Sequence, residues 1–137
     1  MMRKSNVVLL LACFMAVGLL LTGCGGKALS DAFDQATVED TAENVVAMLN
    51  SEDSDGLRAI CTQEMSDALT DDTLQQIYEA LGAGGTFVEF KDIAVTGTTS
   101  DDVDYAVAVV VAEYEDQTFT YTISFNTDMQ LAGLYYK

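Results

Sequence analysis

Thr118-Phe119-Thr120-Tyr121-Thr122-Ile123-Ser124-Phe125 alternates hydroxyl and apolar side chains over eight residues without a break. Successive side chains on a strand point to opposite faces, so Phe119, Tyr121, Ile123 and Phe125 form a face for burial. Thr118, Thr120, Thr122 and Ser124 form the other, and the strand is expected from Gln117 to Asn126. Upstream, Glu115-Asp116 supplies a hairpin, and Val103 to Tyr114 is apolar on nearly both parities, as in a strand inside a sheet with each face covered or partly covered. Phe87 to Val95 reads as an earlier strand. Val88 and Phe90 fall on one parity and Ile93 and Val95 on the other, which a bulge near Lys91-Asp92 reconciles. Downstream, Asn126-Thr127-Asp128 turns the chain into a last strand, Met129 to Tyr136. There Tyr135 and Tyr136 take opposite faces, with Tyr135 expected in the core and Tyr136 on the outer contact surface.

Before this sheet the period is helical. Val38, Ala42, Val45 and Leu49 recur at helical spacing between Ser30 and Asn50, with Asp and Glu near the start or on the wet side. Turn formers from Asn50 to Gly56 end that helix, and Leu57, Ile60, Cys61 and Met65 make a short second one. The third has the clearest start: Thr70 caps it, Asp71 and Asp72 sit where carboxylates favour the helix dipole, and Leu69 can staple onto Leu74. Leu74, Ile77, Tyr78 and Leu81 form its buried stripe, and Gly82 stops it. Three helices followed by a four-stranded meander is an α+β plan, with helices on one face of an antiparallel sheet.

At the amino terminus, Arg3 and Lys4 precede unbroken apolar sequence from Val7 to Leu21. A basic start followed by a short apolar stretch is the pattern of a secretory signal. The run falls short of the ~20 residues needed to cross a bilayer core. Leu21-Thr22-Gly23-Cys24 resembles the lipobox of bacterial lipoproteins, and that resemblance implies cleavage before Cys24 and a diacylglyceryl group on its thiol. Ordinary cleavage would release a soluble protein, but it usually follows a small-x-small pattern that is lacking here, and it would leave Cys24 without a role. The expected organisation is a removed signal over 1–23, a lipidated tether over 24–29 and one domain over 30–137. The expected location is the extracytoplasmic face of the cell membrane, held by fatty acyl chains such as palmitate.

All 22 acidic residues lie beyond the signal, against only four basic ones, so the exported chain has a formal charge of −18. This excludes nucleic acid, whose phosphates need Lys and Arg, and electrostatic adhesion to anionic lipid. The acidity serves solubility, or the recruitment of cations or a basic partner. With Cys13 in the signal and Cys24 acylated, only Cys61 remains in the fold, so no disulfide forms within the chain. Its helical spacing makes it core filler rather than a nucleophile, and the chain has no histidine to serve it as base. The lack of histidine also removes Ser-His-Asp triads and the usual zinc sites.

Val45-Val46-Ala47-Met48-Leu49-Asn50, Glu64-Met65-Ser66-Asp67-Ala68-Leu69-Thr70, Gly85-Thr86-Phe87 and Met129-Gln130-Leu131-Ala132-Gly133-Leu134 together resemble the bacterial family called domain of unknown function 3887. That family is placed in the nuclear transport factor 2-like (cystatin-like) superfamily. The likeness runs from about Asp31 to Lys137. It implies a cone in which three N-terminal helices pack on a curved four-stranded antiparallel sheet around an apolar cavity, and it implies no established reaction.

In such a cone the hydroxyls of Tyr78, Tyr105 and Tyr121 are the candidate pocket groups. A ketosteroid-isomerase-like activity would further need a carboxyl beside a phenol, in apolar surroundings. Glu89 and Asp104 are the only carboxylates within strand patterns to consider for it. The alternative is that all three tyrosines are amphipathic core residues with hydroxyls at the rim. Asp53-Ser54-Asp55-Gly56 and Ser100-Asp101-Asp102-Val103-Asp104 suggest calcium, but neither completes a calcium loop and both suit structural turns. No catalytic residue, cofactor site or metal site is assigned. The Thr118 to Ser124 hydroxyl face is either solvated or packs weakly against a second copy. The expectation is a non-catalytic, membrane-anchored module for a small apolar ligand or an envelope protein. The alternatives are an isomerase or hydrolase using the cavity, and a structural or assembly protein of the envelope.

Overall fold

The computed structural model describes residues 28–137. Cys24, the signal over 1–23 and Cys13 lie outside the described residues. Four helices, α1 (Gln35–Asn50), α2 (Ser54–Ile60), α3 (Gln63–Ala68) and α4 (Asp71–Gly82), precede four strands, β1 (Phe87–Ser100), β2 (Val103–Tyr114), β3 (Thr118–Phe125) and β4 (Leu131–Tyr136). Among the described residues, no helix is long and apolar enough to cross a membrane.

The helix starts follow from local hydrogen bonding. Asp34, Asp53, Thr62 and Thr70 each accept from a backbone N–H in the first turn of the following helix. Each satisfies a donor that has no partner inside its helix. Helix α1 therefore begins after its cap Asp34 rather than near Ser30, and Asp53 serves as the cap of α2. The expected single helix around Cys61 is two. Cys61 is extended, at φ −78° and ψ 151°, and forms an isolated parallel bridge with Leu131, while Thr62 N–H donates to the Leu131 carbonyl at 3.0 Å. Pairing with the start of β4 thus breaks the helical run that periodicity alone suggests.

The sheet is an antiparallel meander in the order β1-β2-β3-β4. The expected nuclear transport factor 2-like cone is not what forms: each strand pairs only with its sequence neighbours, β1 and β4 remain as separate edges, and the sheet neither closes nor curls strongly. Its helix-facing side is filled instead. Ala106, Ala108 and Ala112 on β2 are small enough for the Val38, Ala42, Val45, Val46 and Leu49 stripe of α1 to approach, and Val110, Tyr121, Ile123 and Phe125 occupy the space between. All are buried and belong to one hydrophobic core between the helices and the sheet.

Two register details decide which side chains reach the core. The ladder between β1 and β2 shifts between Phe90 and Asp92, which is the expected bulge, and again between Phe87 and Glu89. A second irregularity falls between Ser124 and Phe125, where Phe125 faces Leu131 but Ser124 faces Gly133. The extra residue, Ala132, reverses the parity of the last strand. Tyr136 then packs against Phe119, with ring centroids 6.2 Å apart, and Tyr135 is 64% exposed. This inverts the assignment read from simple alternation.

The amino-terminal end of the domain lies against Gly97. A Cβ at that glycine would sit 2.5 Å from the Ala28 carbonyl oxygen, so only the missing side chain lets the incoming chain pass this close to β1.

Candidate functional site

At the carboxyl end of α1 an open cleft of about 440 Å³ lies between Leu49 and Asn50, the α4 residues Tyr78 and Leu81, and Phe87 and Tyr114 at the paired ends of β1 and β2. Amphipathic spacing brings Leu49 and Leu81 to it, and the aromatic register does the rest. Tyr114 is held edge-on by Phe119 at 5.0 Å and by Phe87 at 5.6 Å. Such tilted contacts match the positive ring edge to the negative face.

The polar groups of the cleft form a directed chain. The Tyr114 hydroxyl donates to Asn50 Oδ1, and it lies 2.7 Å from the Tyr121 hydroxyl. A phenol has one hydrogen to give, and Tyr114 has given it to Asn50, so Tyr121 must be the donor to Tyr114. Separately, the Tyr78 and Ser54 hydroxyls share a hydrogen bond of 2.9 Å. Tyr121 is 0% exposed, and burial, followed by its bond to Tyr114, drives its pKa far above the ordinary phenol value. Burial also raises the Tyr114 pKa, against the opposing effect of its bonds to Tyr121 and Asn50. Both phenols are therefore neutral at physiological pH, and they present hydrogen bonds rather than acid or base chemistry.

Of the three candidate tyrosines, the cleft gathers two. Tyr78 lines it and Tyr121 lies beneath it through Tyr114. Tyr105 does not join them: it pairs with Thr98 near the other end of the β1–β2 ladder and lines a different hollow. Glu52 lines the cleft, exposed and bonded to none of these tyrosines, whereas the two carboxylates considered for catalysis are elsewhere. Glu89 is exposed and bonded to Lys91, and Asp104 accepts from the Thr99 hydroxyl beside the hairpin tip. Every side-chain bond made by Tyr78, Tyr114 and Tyr121 goes to a neutral group. Asn50 and Tyr114 escape sequence reading because each looks like punctuation, one ending a helix and the other a strand. The usable signal is that Tyr114 and Tyr121 have the parity of one buried face on either side of a short hairpin.

Asp101 and Asp102 form the β1–β2 turn with φ of 51° and 64°, a role short polar side chains tolerate. Among the described residues, no group of three or more His, Cys, Asp or Glu is placed to hold a metal ion. Cys61 is 7% exposed, donates to the Leu57 carbonyl, and has its pKa raised by burial against the opposing charge of Arg58.

The profile described as a protein of unknown function (DUF3887) matches residues 42–134. Comparison with curated proteins returns no match. Among solved structures, the NMR structure of a protein from Ruminococcus gnavus ATCC 29149 superposes with a TM-score of 0.72 at 24% identity, covering 80% of this chain and 96% of that one. That likeness concerns the fold.

Proposed function

The chain belongs to the DUF3887 family, proteins of unknown function, and from that premise we propose a lipid-anchored module on the extracytoplasmic face of the cell membrane. It holds a small, largely apolar ligand in the cleft above Tyr114 without transforming it. The observation carrying this reading is that the hydroxyl chain from Tyr121 through Tyr114 ends on the amide of Asn50 and on no carboxylate. Isomerisation or hydrolysis needs a group that exchanges protons near neutral pH, and these phenols are tuned away from that range. Leu49, Leu81 and Phe87 supply apolar walls while Asn50, Thr86 and the exposed carboxylate of Glu52, which bonds to none of the phenols, supply polar contacts, the usual division between affinity and orientation in a ligand pocket.

Anchoring is supported by the Leu21-Thr22-Gly23-Cys24 sequence behind a short apolar run. Two or more acyl chains on Cys24 would give a hold that one chain cannot. Native mass spectrometry of the protein taken from host membranes tests both halves. The expected species begins at acylated Cys24 and carries a small molecule, and that molecule is absent from a Leu81→Trp variant whose indole fills the cleft. An unprocessed, unacylated chain refutes the anchor, as does continued fatty-acid labelling of Cys24→Ala. A ligand retained equally by Leu81→Trp refutes the cleft.

A further inference from the structure

A second hollow, of about 490 Å³, lies toward the opposite end of the β1–β2 ladder, where Thr98, Tyr105, Ser124 and Gly133 meet Thr62 and Glu64 at the start of α3. Strand register builds it: Thr98 stands opposite Tyr105, and Ser124 stands opposite Gly133. Gly133 leaves open the space beside Ser124, since a Cβ there would meet the serine Cβ and Oγ at 3.4 Å. The hydroxyls of Thr98, Tyr105 and Ser124 take no part in the side-chain hydrogen bonds found among the described residues. Three unengaged hydroxyls from three adjacent strands therefore converge on one concavity.

The lining selects a ligand class by exclusion. Among the described residues no lysine or arginine lines the hollow, and the chain carries a formal charge of −16, so phosphates and other anions are disfavoured. Its single carboxylate, Glu64, is too few for a divalent cation, which takes six or more oxygens. A purely apolar guest would leave the polar lining stripped of water without replacement bonds. What fits is a neutral molecule rich in hydroxyls. Ser, Thr and Tyr hydroxyls both donate and accept, as sugar hydroxyls do, Glu64 can accept from them, and the Tyr105 ring offers an apolar face for the C–H side of a pyranose. We infer that this groove binds a neutral sugar unit, presented either on a free glycan or as the head group of a glycolipid.

The test uses the full ¹⁵N-labelled chain in micelles of a detergent without sugar, so that the detergent cannot occupy the groove. One arm adds N,N′-diacetylchitobiose and the other dopes the micelles with monoglucosyldiacylglycerol. Amide shifts confined to Thr98, Tyr105, Ser124 and Gly133, with a Kd of ~1 mM, are expected in at least one arm. Shifts in the first arm identify a free glycan as the source, and shifts in the second alone identify the glycolipid. Gly133→Leu, whose side chain occupies the groove, should abolish the shifts. Ser124→Ala, which adds no bulk, should weaken binding by about tenfold. Both variants should keep the wild-type melting temperature. No shift in either arm at about 20 mM sugar overturns the inference. It is equally overturned if Gly133→Leu binds normally, or if inorganic phosphate reproduces the shifts. Because Tyr114 and Asn50 are remote from these amides, their resonances report separately on the other cleft.

Discussion

Replacing Tyr114 by Phe should destabilise the domain more than replacing Tyr121, although Tyr121 is the more deeply buried of the two. In Tyr121→Phe the Tyr114 oxygen loses one incoming bond but its hydroxyl still donates to Asn50 Oδ1. An under-used acceptor is tolerated, and the cost should be about 0.5–1.5 kcal/mol, the usual net value of one hydrogen bond. Tyr114→Phe is different, since it leaves the Tyr121 hydroxyl at 0% exposure with no acceptor. An unsatisfied buried donor costs about 1–3 kcal/mol on top of the bond itself, so a loss of about 2–4 kcal/mol is expected. The double variant removes the orphaned donor together with its former partner. It should therefore be no less stable than Tyr114→Phe alone, with a coupling of about 1–2 kcal/mol between the two sites. Urea unfolding of the four proteins, followed by far-ultraviolet circular dichroism with equal m-values, measures these differences directly. Additive losses, or a Tyr121→Phe variant weaker than Tyr114→Phe, would show that the direction assigned to the chain is wrong.

The raised phenol pKa values also predict an alkaline limit. Above about pH 10 the unfolded tyrosines release protons while the folded pair retains them, so stability present below that pH should fall as pH rises; Tyr121→Phe should flatten the fall, as measured by melting temperature between pH 8 and 11. On the acid side, Asp34, held low by its bonds to Thr37, and Glu115, held low by the Thr86 N–H, contribute stability above their unfolded pKa values that disappears as pH drops through the folded ones. Asp34→Asn should reduce that acid dependence. Cys61 should resist a thiol reagent in the native state and react fully in urea, and fast native labelling would contradict its burial. Gly85 has φ +87° and a Cβ there would meet the Glu115 Cβ at 2.9 Å, so Gly85→Ala should cost about 1–2 kcal/mol in urea melts, whereas Gly82→Ala, where a Cβ meets nothing, should not.

Alternation and capping carried most of the architecture. The strand expected from Gln117 to Asn126 matches β3 within one residue at each end, Val103–Tyr114 is β2 throughout, and Thr70 caps α4 as its hydroxyl and the following aspartates suggest. Long-range pairing was not legible. The Cys61–Leu131 bridge splits a helix that local spacing favours, and the Ala132 bulge swaps the faces of Tyr135 and Tyr136, because both depend on segments about 70 residues apart or on ladder geometry. The cone follows from the family resemblance alone, and the alanines of β2 suit instead an open sheet closely covered by a helix. Tyr78 and Tyr121 were found as candidates through their types and parity. Tyr105 lines a hollow as well, but a separate one, because parity alone does not say which end of a strand a side chain occupies.

Under the proposed anchoring at Cys24, the contact between Ala28 and Gly97 would set which pole of the molecule is fastened. Ala28 is four chain steps from Cys24, a reach of at most about 14 Å, while Phe87, beside the tyrosine cleft, is ten strand positions from Gly97, or about 30 Å. A protein moored at its lipid would thus carry that cleft like a lamp on a short post, facing the space beyond the membrane and out of reach of the bilayer's own acyl chains. Its guest would have to arrive through water or be handed over by another macromolecule.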